Sequence, residues 1–367
     1  MLLTRKVDDE GIPTKTTEME LENEKNISLS YIESSILVSK RHYKYLLQFA
    51  NQTTIDGNKR ESLCVWNPCY VLVPLVLLKY DNYEELESLK SKCTTYLARR
   101  ITKYGLFSGF PTDYPSLISN YGVLNSTIVI GTPEIYNLYN RKVIYNYLLS
   151  LKAHNGAFRS AIGAEIDVRS TYSAVYIAYM LNILTPEFTN GVIDFVISCQ
   201  NYDGGFSPQP NCESHGGFSH CAIGVLFILN ALHRININAH IRWLTSRQME
   251  YSGGFQGRTN KLSDSCYTWW EGSAMRIISD YMNILPFWDI ESVTDFVLRV
   301  AQSVFGGFSD HPPNSCDYFH TLYSLEGICV CGERNKYNFD DVDPLSGVPK
   351  TLTKQFKSYF EQQPFIN

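Results

Sequence analysis

Asp264 and Cys266 stand two residues apart in LSDSCYTWW, at the expected start of a helix, and carboxylate and thiolate are both good Zn²⁺ ligands. In CDYFHTLYSLEG, 56 residues beyond Asp264, His320 occupies the equivalent place after the next glycine–aromatic turn. Three ligands of mixed type leave one coordination position open, which is the arrangement of a catalytic zinc ion. The same residues also suit a helix-capping Asp, a buried packing Cys and a hydrogen-bonded core His, and spacing alone does not choose. Just upstream, Arg258 and Lys261 are three residues apart, and His215 in ESHGGFSHCAIG precedes two glycines that open a helix. Arg and Lys neutralise a diphosphate, and a His or Tyr side chain can donate to one. A solvated basic loop has the same composition. Arg258, Lys261, Asp264 and Cys266, however, fall within nine residues.

These residues are set in an internal repeat. A glycine–aromatic element recurs as GLFSGF at Gly105, NGAF at Asn155, DGGF at Asp203, SGGF at Ser252 and FGGF at Phe305. Counting the glycine before the last aromatic, Gly205, Gly254 and Gly307 lie 49 and 53 residues apart. Between the elements the apolar period is helical. Phe218, Cys221, Ala222, Val225, Leu226, Leu229 and Leu232 step by three and four, which predicts one broad apolar face, and Tyr172–Leu184 behaves similarly. A repeat of about 50 residues with two helices cannot bury its own apolar face and must stack on its neighbours. An extended solenoid and a closed ring both satisfy that demand. The expectation is all-α, with an α/α barrel as the working architecture. In such a ring the inner helices gather their N-termini at one end, which attracts anions.

Composition narrows the function classes. The chain has 367 residues, a net charge of -5 and 13% aromatic residues, among them 25 Tyr. That balance gives no general reason to expect nucleic-acid binding, and the aromatic surplus suits a deep apolar pocket. The N-terminus turns polar within a few residues, and the most apolar run, Cys69–Leu78, is too short for a membrane span. Ten cysteines without secreted-domain spacing read as reduced thiols. The expectation is a cytoplasmic protein without stable membrane insertion.

The motifs GAEIDVRSTYSA, CQNYDGGF, ESHGGFSHCAIG, TSRQMEYSGGFQGRTNKLSDSCYTWW and DYFHTLYSLEG, in this order and spacing, resemble the protein prenyltransferase β subunits, those of farnesyltransferases in particular. The resemblance runs from about Trp66 to Gly327 and is dense from Gly156 to Trp270. It implies an α6–α6 barrel over residues 61–330, with an N-terminal segment (1–60) against the barrel or a partner and a C-terminal tail (331–367) packed on it. It also implies an obligate α subunit. Asp264, Cys266 and His320 become the zinc ligands, and His215, Arg258, Lys261 and Tyr267 the diphosphate-binding residues. Trp66, Tyr121, Tyr172, Gly217, Cys221, Trp270 and Tyr323 would line the isoprenoid pocket, and Trp66, Tyr70, Ile118, Arg169 and Phe319 the peptide site. Asp310 matches an Asp linked to Mg²⁺ at the diphosphate.

The implied reaction transfers farnesyl from farnesyl diphosphate to the cysteine of a C-terminal Cys-aliphatic-aliphatic-X (CaaX) sequence, as on small GTPases. Trp66 and Tyr323 align with the pair that limits the tail to three isoprene units, and with Asp310 they oppose a type I geranylgeranyltransferase. Departures from the family pattern gather at the peptide site. Phe319 replaces a Tyr, Tyr70 a Trp, and Ser116, Ile118 and Ser119 are unusual. The bulk of Ile118 bears on the choice of terminal substrate residue. No DxDD or DDxxD motif of a terpene cyclase is present, and a non-catalytic helical scaffold leaves the polar convergence unexplained.

Overall fold

The computed structural model describes residues 14–31, 35–52 and 62–364, so the rest of the 1–60 segment and the end of the tail lie outside the described residues. The chain opens with α1 (Lys15–Ser30) and α2 (Ser39–Gln52). Then come α3 (Asn67–Leu77), α4 (Tyr83–Ala98), α5 (Leu117–Ile130), the single turn α6 (Pro133–Tyr136) and α7 (Arg141–Ser150). The next repeats hold α8 (Val168–Met180), the turn α9 (Pro186–Thr189), α10 (Val192–Ser198), α11 (Gly216–Ile228) and α12 (Ile237–Thr245). The last holds α13 (Tyr267–Met282), α14 (Ile290–Asp295) running into a π-helical turn at Phe296–Ala301, and α15 (Tyr318–Cys331); α16 (Lys350–Glu361) follows and packs on α5 and α8. Among the described residues there are isolated β-bridges and no strands.

Helices α3, α5, α8, α11, α13 and α15 each pack on the next, and α15 packs back on α3. The ring is therefore closed, and the solenoid is excluded. A return helix stands between successive inner helices, so all of them run the same way and their N-terminal ends share one mouth. Inner helices face the lumen on one side and the outer layer on the other, and this overrides the one-sided pattern expected for α11. Ser219–Leu226 are all buried, as are Ser119–Ile130 of α5. The helices also end earlier than their apolar periodicity suggests. Asn182 (φ 55°) and Asn230 (φ 53°) adopt the left-handed conformation after α8 and α11, which stops them before Leu184 and Leu232.

The repeated element has a structural function. Phe107, Phe158, Phe206, Phe255 and Phe308 are fully buried, each in a β-bridge to a residue just past the end of the preceding outer helix. Four of their backbone N–H groups donate to a side chain 13 residues on, in the following inner helix: Asn120 (2.8 Å), Thr171 (3.1 Å), Ser219 (3.3 Å) and Thr321 (3.0 Å). The first copy is thus centred on Phe107, whereas Phe110, the last aromatic of GLFSGF, is exposed.

Closure comes from the start of the chain. Gly307 N–H donates to His42 Nδ1 of α2 (2.9 Å), His42 Nε2–H donates to Gln302 (2.9 Å), and the imidazole stacks on Phe308. Gly306 has φ 103°, and a Cβ there would lie 2.3 Å from the Arg41 carbonyl oxygen. Gly306→Ala is therefore expected to lower stability by about 3 kcal/mol, read as a depressed thermal midpoint, through strain and clash together.

Candidate active site and metal centre

The mouth is built from the first turns of the inner helices. Asp264 precedes α13, its Oδ1 accepts the Cys266 N–H (2.8 Å), and Cys266 is the N-cap residue of that helix. In α15 the N-cap is Asp317. Its Oδ1 accepts the His320 N–H (2.8 Å) and its Oδ2 lies 2.6 Å from His320 Nδ1. This fixes the ring so that Nε2 faces Asp264 at 3.5 Å. One ligand atom from each of Asp264, Cys266 and His320 falls within 4.8 Å of the others.

The donor set fits a zinc ion: one carboxylate, one sulfur and one imidazole, with the far imidazole nitrogen tied to a carboxylate as metal-binding histidines commonly are. The local field also asks for a cation. Burial alone would lower the His320 pKa, but its bonds to Asp264 and Asp317 raise it to about 10. Burial and then Asp264 push the Cys266 thiol well above its ordinary value, so a thiolate there needs a positive partner. Asp317 was missed in the sequence, although Asp three residues before a His at a helix start is a legible capping pattern. Asp317→Ala is expected to weaken zinc binding about 10- to 100-fold by releasing the imidazole, measured by chelator competition.

Beside the metal group, His215 caps α11. Its Nδ1 accepts the Gly217 N–H (3.0 Å), so in the neutral ring the proton sits on Nε2, 3.1 Å from the Tyr267 hydroxyl oxygen. Burial, and next the Arg258 guanidinium, hold the His215 pKa below its ordinary value and favour that neutral form. Nε2–H then donates to Tyr267 and leaves the phenol O–H free to donate outward; burial keeps the phenol protonated. Arg258 pairs with Glu213 (2.9 Å), a partner the sequence reading did not identify, and Lys261 is exposed on the same loop. The Asp310 carbonyl accepts the Ser265 N–H (2.9 Å), while its carboxylate takes a bond from Asn314 (2.9 Å).

Below the mouth the wall is aromatic. Trp270 stacks obliquely on Tyr323 (ring centroids 4.5 Å apart), Trp66 approaches Tyr70 and Tyr121 (6.1 Å each), and Tyr121 approaches Tyr172 (5.8 Å). The Trp66 ring lies so close to Gly122 that a Cβ there would be 2.5 Å away. Cys221 is buried in α11, and a Cβ at Gly217 would meet only the His215 ring. His220, which the sequence reading passed over, is fully buried behind this wall against Tyr172, Trp269 and Trp270. Toward the other end, Leu345 lies inside the ring, where its carbonyl accepts the hydroxyls of both Tyr121 (3.0 Å) and Tyr172.

Of the expected peptide residues, Phe319 is partly exposed and packs between His320 and Tyr323, beside the metal group. Arg169 is paired with Asp167 (3.0 Å) in the first turn of α8, and Ile118 sits half-buried in the first turn of α5.

A family profile described as the prenyltransferase alpha-alpha toroid domain matches residues 37–348. The protein farnesyltransferase subunit beta of Schizosaccharomyces pombe is 29% identical, over 90% of this chain and 92% of its own. The geranylgeranyl transferase type-2 subunit beta of Saccharomyces cerevisiae is 33% identical, over 70% of this chain and 78% of that one. Among solved structures, Candida albicans protein geranylgeranyltransferase-I complexed with GGPP shares the fold at a TM-score of 0.74 and 23% identity, covering 88% of this chain and 99% of that one. Ring and profile together define an α/α toroid of the prenyltransferase class. Within that class the chain belongs to the protein prenyltransferase β-subunit family, whose members are prenyl-transferring enzymes. Among the described residues no helix is long and apolar enough to cross a membrane.

Proposed function

We propose that the chain is the catalytic β subunit of a zinc-dependent protein farnesyltransferase, acting with an α subunit on proteins that end in a CaaX sequence. The observation that carries this reading is the approach of Asp264, Cys266 and His320 within 4.8 Å, beside the His215–Tyr267 pair. A zinc ion held by those three residues would lower the pKa of the substrate thiol, so that thiolate is present at neutral pH.

The remaining steps belong to the chain. Arg258, Lys261, His215 and the Tyr267 hydroxyl bind the diphosphate and stabilise the charge it gains on leaving. The aromatic wall holds the isoprenoid tail and excludes water from C1. The thiol proton leaves to solvent as the thiolate forms; then, as the sulfur–C1 bond forms, the C1–oxygen bond breaks with its electron pair going to diphosphate. Asp310 would hold Mg²⁺ at the diphosphate. Trp66 and Tyr323 support farnesyl over the longer tail.

The test is zinc content together with transfer of farnesyl and geranylgeranyl to a CaaX peptide by the chain co-expressed with an α subunit. Faster farnesyl transfer supports the proposal. Faster geranylgeranyl transfer would retain the chemistry and reassign the tail, and protein with neither zinc nor transfer would overturn both.

A further inference from the structure

Glu271 is fully buried on α13, and neither carboxylate oxygen has a hydrogen-bond partner among the described residues. A buried carboxyl left unpaired is costly, so its surroundings need a reason. It stands four residues after Tyr267 and shares that face of the helix. Two glycines lie down on this face, Gly257 from a loop and Gly216 from the first turn of α11. A Cβ on Gly257 would be 2.0 Å from the Tyr267 ring, and one on Gly216 would be 2.3 Å from Glu271 Oε1. The two are joined to each other, Gly216 N–H donating to the Gly257 carbonyl at 2.7 Å.

Each glycine is the immediate neighbour of an anion-site residue, His215 before Gly216 and Arg258 after Gly257. Arg247, also buried, braces the same loop by donating to Thr259 Oγ1 (2.8 Å). The height at which His215 and Arg258 stand above α13 is therefore set by what lies beneath the glycines.

We propose that Glu271 is a positioning residue for the diphosphate: through Gly216 it holds the first turn of α11, and with it His215, in register with Arg258 and the Tyr267 hydroxyl. This rests on the assignment of those residues to diphosphate. Glu271 touches no reacting atom, and its effect belongs to binding of the prenyl diphosphate rather than to the metal.

The test uses the two-subunit enzyme carrying Glu271→Gln, Glu271→Ala, Gly216→Ala, or the last two together. Glu271→Ala is expected to raise KM for farnesyl diphosphate and Kd for inorganic diphosphate, by calorimetry, about 10-fold, the equivalent of about 1.4 kcal/mol. In the same variant zinc content should be unchanged, because the metal ligands are not touched, while kcat should fall as well, because the displaced residues stabilise the departing diphosphate. Glu271→Gln keeps the shape and should restore binding. Gly216→Ala should reproduce the defect, and the double variant should be less impaired than Gly216→Ala alone, since the shortened side chain makes room for the methyl. Wild-type affinity for inorganic diphosphate in Glu271→Ala overturns the proposal. So does parallel loss of KM, kcat, zinc and thermal midpoint in the Ala and Gln variants alike. If wild type transfers no prenyl group yet Glu271→Ala still weakens inorganic diphosphate binding, the transfer reading fails and the positioning role stands.

Discussion

His320→Ala is expected to strip the enzyme of zinc and to lower transfer at least about 100-fold, because one of three protein ligands is lost and Asp317 is left with no imidazole to orient. Two carboxylates, Asp264 and Asp317, then face the gap unbalanced, where the wild-type ring meets them at 3.5 and 2.6 Å. Metal analysis and single-turnover transfer on the same preparation separate this from a folding defect. Zinc near zero with a cooperative unfolding transition retained, its midpoint lowered no more than in metal-stripped wild type, is the expected pair of results. Stoichiometric zinc in the variant would mean that His320 is only a packed and capped residue, and the metal centre would have to be withdrawn.

The second large effect concerns tail length. Trp66 is 9% exposed and Tyr323 1%, so both rings fill space inside the toroid rather than line its rim. Trp66→Thr removes the indole that presses on Gly122, opening room of the order of one isoprene unit. The ratio of kcat/KM for farnesyl over geranylgeranyl diphosphate is expected to fall at least about 100-fold, since even one methylene group is discriminated by about 10- to 200-fold. Competition between the two diphosphates in one reaction reads the ratio directly. A ratio unmoved in both Trp66→Thr and Tyr323→Leu would assign the length limit elsewhere, with the Leu345 loop the next place to look.

The helical repeat and the local Asp264–Cys266 pair were legible because each depends on neighbours along the chain. Closure was not legible in the periodicity, which suited a solenoid equally, and came from the family resemblance, since it rests on contacts such as His42 with Gly307, 265 residues apart. The register of the first repeat misled for a simple reason. GLFSGF contains two aromatics, and only burial distinguishes Phe107 from Phe110. His320 could be paired with Asp264 through the repeat period, but Asp317 and Glu213 gain meaning only once the side chains they hold have been placed. Leu345 was invisible. A carbonyl acting on two tyrosines leaves no trace in residue type or periodicity. Glu271 is similar, for in sequence it is one acidic residue on a helix, whereas in the fold it is completely buried with Gly216 laid against its carboxyl.

The docking of α2 on the turn around Gly306 also constrains how the molecule comes into being. During synthesis the first outer helix emerges long before the turn that receives it, so the growing chain is an open crescent with an unsatisfied end on each side. The closing contact carries the loop entropy of most of the chain and cannot form until the last repeat has left the ribosome. Until then the apolar flanks of the crescent are exposed to other chains, and such late-closing intermediates are the species most prone to aggregate. The same seam is the natural place for the finished ring to open first when heated.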